Sequence, residues 1–265
     1  MRDMNAIVGS HDLLFLVLDT LRFDVAERLH REGRTPTLAG LLPGGWERRQ
    51  TPGYFTLPAH QAFFSGFLPV PEAPGLHPRL FALRFPGSET VASTTCVLDA
   101  PDLVHGLAAR GYHTVCIGGV GFFNKQSPLG GVLPALFAES HWSPELGVTD
   151  PRSTENQLGL AAEILSRLPH DQRVFLYLNI SAIHQPNRFY LEGAAEDTLA
   201  SHAAALEYVD RQLPMLLAAM RARGTRWFAI VCSDHGTCYG EDGYHGHRHA
   251  HPITWTVPYG EVVVG

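Results

Sequence analysis

Four short apolar runs, separated along the chain by helical patterns, constrain the fold more than any other feature. Each run is followed at once by a polar residue or a glycine, as expected of a strand that is buried on both faces and ends at an accessible edge. The runs cover residues 13–18, 114–117, 174–180 and 227–232. The pattern predicts four central strands of one sheet.

Apolar residues at helical spacing lie between these runs. One helix is predicted to begin with a capping box formed by Thr154 and Gln157 and to end before Pro169, and another runs through residues 206–220, with a bend at Pro214. A shorter helix covers residues 101–109. Strands that alternate with helices predict an α/β fold with a mainly parallel sheet. Segments 66–93 and 118–147 are expected to be long loops, and no domain boundary divides residues 1–265, so we expect a single domain.

Charge and length exclude several function classes. The 265 residues include 20 basic and 26 acidic side chains, and the net charge of −6 argues against nucleic acid or an anionic membrane as a partner. The first apolar run is too short for a signal peptide or a membrane span, so we expect a cytoplasmic protein. The 4 cysteines contain no Cys-x-x-Cys pair and are expected to be reduced and mostly buried.

Polar side chains at the strand ends are the first candidates for chemistry. Asp19 follows the first run, His184 comes soon after the third, and Asp234, His235 and Gly236 follow the last. The carboxyl ends of parallel strands meet at one edge, where ligands bind, and an adjacent carboxylate and imidazole can reach one cation. A helix cap at Asp19 and a structural role for His184 are the alternatives.

A helix is also predicted between Thr56, its N-cap, and Gly66, which ends it. A hydroxyl at a helix N-terminus faces free backbone N–H groups and the positive end of the helix dipole, which suits an anionic substrate and an activated Thr56. His60 lies four residues later on the same face. A capped helix without any catalytic role is the alternative.

Histidines cluster after the last run. Of the 15 histidines, His245, His247, His249 and His251 alternate along the chain, so an extended segment would project all four to one side, where they could bind a metal or an anion. A solvated loop is the alternative, and we expect at most two of the four to contact a metal. Glu241 and Asp242 are further acidic candidates, whereas Asp24 is expected to cap a helix or pair with Arg22.

Taken in order, these motifs resemble the alkaline phosphatase superfamily, in its sulfatase-like and phosphodiesterase branches. The segments that carry the resemblance are 16–24, 35–38, 56–60, 65–69, 208–210, 232–236, 240–241 and 257–258. The resemblance implies a three-layer fold, with helices on both faces of the sheet, and a metal bound by Asp19. It also implies a compact version of this fold, without the small second domain that larger sulfatases add.

Two departures from the sulfatase pattern refine what the resemblance implies. Sulfatases carry a cysteine or serine, oxidised to formylglycine, where Thr56 stands, and threonine cannot be converted to that aldehyde. Thr56 instead resembles the phosphoryl-accepting threonine of nucleotide pyrophosphatase-type phosphodiesterases and of phosphoethanolamine and glycerol-phosphate transferases. Two-metal phosphodiesterases place an aspartate four residues before a histidine, but Ile180 precedes His184 at this spacing. A second metal site would then be absent, weak, or rebuilt from His184, His245 and His247.

We therefore expect a metal-dependent hydrolase or transferase that acts on a small-molecule phosphate ester through a phospho-threonine intermediate at Thr56. One divalent metal is expected, zinc or alternatively manganese, with ligands from Asp19, Thr56, Asp234, His235, His245 and His247. Substrate binding is assigned to His60, His184, His245 and His247, the first two also being catalytic. The alternatives are a sulfuric-ester hydrolase without formylglycine and a degenerate metal-binding partner of another enzyme. The leaving group, the acceptor and the oligomeric state stay open.

Overall fold

The computed structural model describes residues 3–66 and 102–265. The sheet strands in this part of the chain are β1 (Asp12–Leu18), β2 (Glu47–Gln50), β3 (His113–Ile117), β4 (Glu139–His141), β5 (Val174–Ile180), β6 (Trp227–Cys232), the short pair β7 (Cys238–Tyr239) and β8 (His245–Gly246), and β9 (Thr256–Val264). The helices are α1 (Met4–Ile7), α2 (Phe23–Arg31), α3 (Pro36–Leu41), α4 (Thr56–Ser65), α5 (Leu103–Ala109), α6 (Pro128–Val132), α7 (Ser153–Arg167), α8 (Leu199–Ala222) and α9 (Pro252–Trp255). Most of the expected loop 66–93, as well as Cys96, lies outside the described residues.

A mainly parallel seven-stranded sheet organises the fold, in the order β2-β9-β6-β1-β5-β3-β4. The strands from β6 to β4 run parallel, whereas β9 is antiparallel to both β6 and β2. Leu16 of β1 lies between Leu178 of β5 and Val231 of β6. The four predicted central strands and the α/β fold are confirmed.

Helices cover both faces of the sheet because β1 alternates its side chains between two cores. Leu14, Leu16 and Leu18 pack in one core with residues of α2, α7 and α8. Leu13, Phe15 and Val17 pack in the other core with residues of α1, α4 and α5. The three-layer arrangement is therefore present. Within the described ranges, no helix is both long and apolar enough to cross a membrane.

Three sequence expectations about secondary structure need correction or comment. Segment 118–147 is not a long loop, because it folds into short helical turns, α6 and the edge strand β4. The capping box is wrong, because α7 begins at Ser153 with Arg152 as its N-cap, and the hydroxyl of Thr154 has no hydrogen-bond partner among the described residues. Helix α8 continues through Pro214. The described cysteines Cys116, Cys232 and Cys238 are free and buried, as expected.

Candidate metal centre

Asp19, Asp234 and His235 bring three metal-binding groups together at the carboxyl ends of β1 and β6. Their ligand atoms all lie within 4.8 Å of one another, and all three residues are fully buried. His235 Nε2 is 3.4 Å from Asp234 Oδ2 and 3.9 Å from Asp19 Oδ1. The residues meet because β1 and β6 are neighbouring parallel strands, which end at the same edge of the sheet.

One oxygen of each carboxylate accepts no hydrogen bond from the described residues. These oxygens are Asp19 Oδ1 and Asp234 Oδ2, although the Thr56 hydroxyl lies close enough to Asp234 to lower the pKa of that carboxyl. The other oxygens are satisfied: Asp19 Oδ2 accepts a 2.8 Å hydrogen bond from Asn179, and Asp234 Oδ1 accepts from the backbone N–H groups of Thr20 and His235. A buried carboxylate oxygen without a donor is unfavourable, and two such oxygens at one point repel each other. This arrangement fits a bound cation.

The tautomer of His235 also fits a metal ligand. Its Nδ1 lies 3.0 Å from the carbonyl oxygen of Gly236, which can only accept a hydrogen bond. Nδ1 therefore donates, and Nε2 keeps a lone pair that faces the two carboxylates. Burial lowers the pKa of His235, which favours the neutral imidazole that metals bind. Oxygen and imidazole ligands in this combination suit zinc or manganese better than calcium.

The carboxylates are hard to ionise without a cation. Burial, followed by the neighbouring charge of Asp234, raises the pKa of Asp19 to about 6. Burial likewise raises the pKa of Asp234 to about 7. A divalent cation would reverse this balance, because its charge favours both carboxylates in their ionised form.

Asn179 and Thr20 position the two carboxylates, and the sequence analysis missed both. Asn179, in β5, donates to Asp19 while its Oδ1 accepts from the N–H groups of Gly119 and Val120 after β3. Thr20 adopts a φ of +62°, which turns the chain after β1 and aims its N–H at Asp234. An amide inside an otherwise apolar strand was the available signal for Asn179.

Thr56 lies beside the three ligands. It is the first residue of α4 with Phe55 as the N-cap, so the predicted N-cap is wrong by one residue. The buried Thr56 Oγ1 is 3.4 Å from His235 Nε2. Gly66 ends α4 with a φ of +72°, as predicted. The hydroxyl thus lies at a helix N-terminus and against the candidate metal ligands at once.

His60 lies behind Thr56 rather than at an accessible surface. Its Nδ1 donates to the carbonyl oxygen of Thr56 at 2.6 Å, and its Nε2 accepts from the hydroxyl of Tyr177. Aromatic rings, including Phe63 and Phe123, surround the imidazole. Burial lowers the pKa of His60 to about 3, so the ring is neutral and both its nitrogens are engaged.

His247 lies beside the candidate ligand His235, and His184 lies beside His247. The ring centroid of His247 is 4.7 Å from that of His235 and 5.3 Å from that of His184. His184 Nδ1 donates to the Gln185 carbonyl oxygen at 2.5 Å, which leaves Nε2 available. Burial and the neighbouring imidazoles lower the pKa of His247 to about 3, and its buried Nδ1 has no partner among the described residues.

The other histidines of the alternating set lie elsewhere, so the predicted extended segment is wrong. Strand β8 is only two residues long, and the φ values of Gly246 (+73°) and Arg248 (+79°) turn the chain. His245 is exposed and lines a separate cavity with Gln185 and Glu241. Among the described residues, no contact joins His245, His249 or His251 to Asp19 or Asp234.

The two downstream histidines have local roles. His249 Nε2 lies 3.5 Å from Cys238 Sγ. His251 Nδ1 accepts from the N–H of Ile253 and so caps α9, while its Nε2 contacts Asp242.

The acidic candidates are engaged as well: Glu241 and Asp24 both pair with Arg22, as expected for Asp24. Asp242 and Glu241 are therefore not part of the candidate metal centre.

Comparison with known proteins identifies the family to which this sequence belongs. The family model for the Sulfatase family matches residues 11–260. No curated protein matches the chain significantly. Among solved structures, the C-terminal periplasmic domain of EptC from Escherichia coli, in complex with zinc, is 13% identical with a TM-score of 0.67, and the match covers 96% of this chain and 73% of that one.

Two further structures are similar. The lipoteichoic acid synthase LtaP from Listeria monocytogenes is 16% identical with a TM-score of 0.66, covering 97% of this chain and 66% of that one. The soluble domain of lipooligosaccharide phosphoethanolamine transferase A from Neisseria meningitidis is 17% identical with a TM-score of 0.63, covering 96% and 77%. These likenesses show the alkaline-phosphatase-like fold. Because the family model spans nearly the whole sequence, the chain belongs to the Sulfatase family.

Proposed function

We propose that the chain hydrolyses or transfers a phosphate ester, with Thr56 as the nucleophile beside a divalent cation, preferably zinc, held by Asp19, Asp234 and His235. One observation carries the proposal. The two unpartnered carboxylate oxygens, the lone pair of His235 Nε2 and the Thr56 hydroxyl converge on one buried point. Family membership supports ester chemistry, and zinc in the similar EptC domain supports the metal.

The chain's own residues supply the remaining functions. A bound cation would lower the pKa of the Thr56 hydroxyl and offset negative charge on a phosphoryl group. The first turn of α4 contains Pro58, which has no N–H, and the N–H of Ala59 donates to the Phe55 carbonyl oxygen, so Thr56 and Leu57 are the positions whose backbone N–H groups would bind phosphoryl oxygens. His184, fixed through Nδ1, would act on the leaving oxygen as an imidazolium, which donates the proton on Nε2, and His247 presents its unpartnered Nδ1 to the same space.

His60 acts as a positioning residue in this proposal. Its hydrogen bond to the carbonyl oxygen of Thr56 fixes the start of α4, and Tyr177 fixes the imidazole in turn. Because both nitrogens are engaged and the pKa is about 3, His60 has no proton to give near neutral pH. Direct substrate contact is therefore reassigned from His60 to His184 and His247. His245, which lines a separate cavity, leaves the ligand set.

The test compares nitrophenyl phosphate, bis-nitrophenyl phosphate and nitrophenyl sulfate with the zinc-loaded protein. We expect turnover of a phosphate ester, loss of at least about 100-fold in Thr56→Ala, and a phosphate on Thr56 detectable by mass spectrometry. Thr154→Ala is a matched control, because Thr154 is also a buried threonine near a helix N-terminus, with an unpartnered hydroxyl.

Other outcomes select the alternatives. A preference for the sulfate ester would contradict phosphate transfer and favour a sulfuric-ester hydrolase that uses threonine. Unchanged activity in Thr56→Ala would remove the nucleophile. Zinc binding without any turnover would instead favour a metal-binding partner protein.

A further inference from the structure

Arg248 lies next to the candidate site in both sequence and space. Its Cζ is 5.7 Å from the ring centroid of Phe55, the separation of a cation–π contact. Phe55 directly precedes Thr56, and Arg248 directly follows His247. The contact therefore joins the segment that begins the nucleophile helix to the segment that carries the imidazole beside His235.

The backbone holds Arg248 in the same place. Its N–H donates a 3.0 Å hydrogen bond to the carbonyl oxygen of Tyr54. Its φ of +79° lies in the left-handed region, which a residue with a side chain rarely adopts. Such a conformation persists when surrounding contacts over-determine it, and it is concentrated at ligand-binding sites. Arg248 is thus held against the segment Tyr54-Phe55 by two contacts, a backbone hydrogen bond to Tyr54 and a cation–π contact with Phe55.

Arg248 is exposed, and no carboxylate in residues 3–66 and 102–265 forms an ion pair with it. Arg28, Arg31 and Arg48 likewise form no ion pair with these residues, whereas Arg22, Arg34, Arg49, Arg167, Arg173 and Arg223 are paired.

A second aromatic ring lies beside Phe55. The ring of Phe55 lies 6.0 Å from that of Phe122, which belongs to the segment after β3. A guanidinium in a cation–π contact with a ring keeps N–H groups that can donate to a ligand. Those donors match a carboxylate or phosphate group.

We propose that Arg248 binds a second anionic group of the substrate, so that the preferred ester carries a carboxylate or phosphate in addition to the phosphoryl group that reacts at Thr56. This inference rests on the proposed function. The reacting group and the second charge are bound separately, the first by the candidate metal centre and the second by Arg248. Arg248 is then a specificity-determining residue, because an ester without the second charge has no anionic group that the guanidinium could bind.

The experiment uses two substrates that differ by one carboxylate, the p-nitrophenyl phosphodiesters of glycerol and of glyceric acid. Release of nitrophenol from the zinc-loaded protein gives kcat/KM for each. We expect Arg248→Gln to lower kcat/KM for the glyceric acid ester by about 10- to 150-fold, the loss of one charge-assisted hydrogen bond. The glycerol ester should change by less than about 2-fold.

Arg48→Gln is the matched control. Arg48 is exposed and makes the same kind of cation–π contact, with its Cζ 5.9 Å from the centroid of the Phe23 ring, but it belongs to the edge strand β2. This variant should leave both substrates unchanged. Arg248→Lys, which keeps the charge, should restore part of the preference. Equal losses on both esters in Arg248→Gln, or no loss on either, would overturn the assignment.

A binding measurement separates this proposal from the proposed function. Calorimetry on the zinc-loaded protein compares glycerol 3-phosphate with 3-phosphoglycerate. Tighter binding of 3-phosphoglycerate that disappears in Arg248→Gln supports the role of Arg248, even where neither ester is turned over and the proposed chemistry fails. Equal binding of both compounds by the parent chain overturns it.

Discussion

Replacing Asp234 with asparagine should stabilise the metal-free protein while it abolishes metal binding. The native carboxylate has one oxygen without a donor and lies beside a second buried carboxylate, Asp19. Asparagine keeps an oxygen for the N–H groups of Thr20 and His235. Its amide nitrogen would occupy the position of Oδ2, 3.4 Å from His235 Nε2, and could donate to that lone pair.

The magnitude follows from the pKa of Asp234, which is raised from 3.8 to about 7. Each pKa unit corresponds to about 1.4 kcal/mol, so three units give a ceiling of about 4 kcal/mol at pH 8. Because the native pKa is raised, the unfolded chain ionises first, and the native state loses stability as pH rises from about 4 to about 7. Asp234→Asn should therefore gain about 2–4 kcal/mol at pH 8 and less than about 1 kcal/mol at pH 4.

Urea unfolding in EDTA at several pH values measures this gain. Asp12→Asn is the control, because Asp12 is equally buried but accepts hydrogen bonds from Arg223, Thr225 and the N–H of Val174. Breaking that buried pair should cost roughly 3–5 kcal/mol. With zinc present, Asp234→Asn should become the less stable protein. If Asp234→Asn were no more stable than the parent chain in EDTA at pH 8, or gained equally at pH 4, the argument from the cost of burying the Asp234 carboxylate would be refuted.

Three further expectations concern the same edge of the sheet. Zinc at 100 times its dissociation constant should raise the free energy of unfolding by about 2.7 kcal/mol, seen as a higher Tm that EDTA reverses. Asn179→Leu removes the amide that donates to Asp19 Oδ2, so calorimetric zinc affinity should fall by about 10- to 100-fold, and it also leaves the N–H groups of Gly119 and Val120 without their acceptor; an unchanged affinity would contradict the positioning role. Gly236→Ala should lower the Tm, measured by differential scanning calorimetry, by at least about 5 °C, because its Cβ would lie 2.0 Å from the carbonyl oxygen of Ile253.

The central strands and the three ligands could be predicted because their signals are local. A strand buried on both faces reads as a continuous apolar run, and residues that follow such runs share one edge of a parallel sheet. The edge strands β2 and β4 gave no such signal, since Glu47–Gln50 and Glu139–His141 are polar. Edge strands need no apolar face to pair, so periodicity does not reveal them.

The remaining errors come from contacts between distant segments. Gln157 matched a capping box, but its amide donates to the Asn179 carbonyl oxygen at 2.6 Å instead. The alternation of histidines implied an extended strand, whereas Gly246 and Arg248 take left-handed conformations. The contact of Gln157 with Asn179 and the contact of Arg248 with Tyr54 both join segments that are far apart in the sequence. Neither contact can be inferred from neighbouring residues.

The amide of Asn179 has a consequence for the order of folding. It connects Asp19 at the end of β1 to the N–H groups that follow β3, over sequence separations of 160 and 60 residues. Such long-range contacts form late, because closing large loops costs entropy before any contact is gained. A cation that needs Asp19 in its final orientation cannot template the sheet. Metal uptake should therefore follow folding, and its rate during refolding would report on completion of the β3-β5-β1 core.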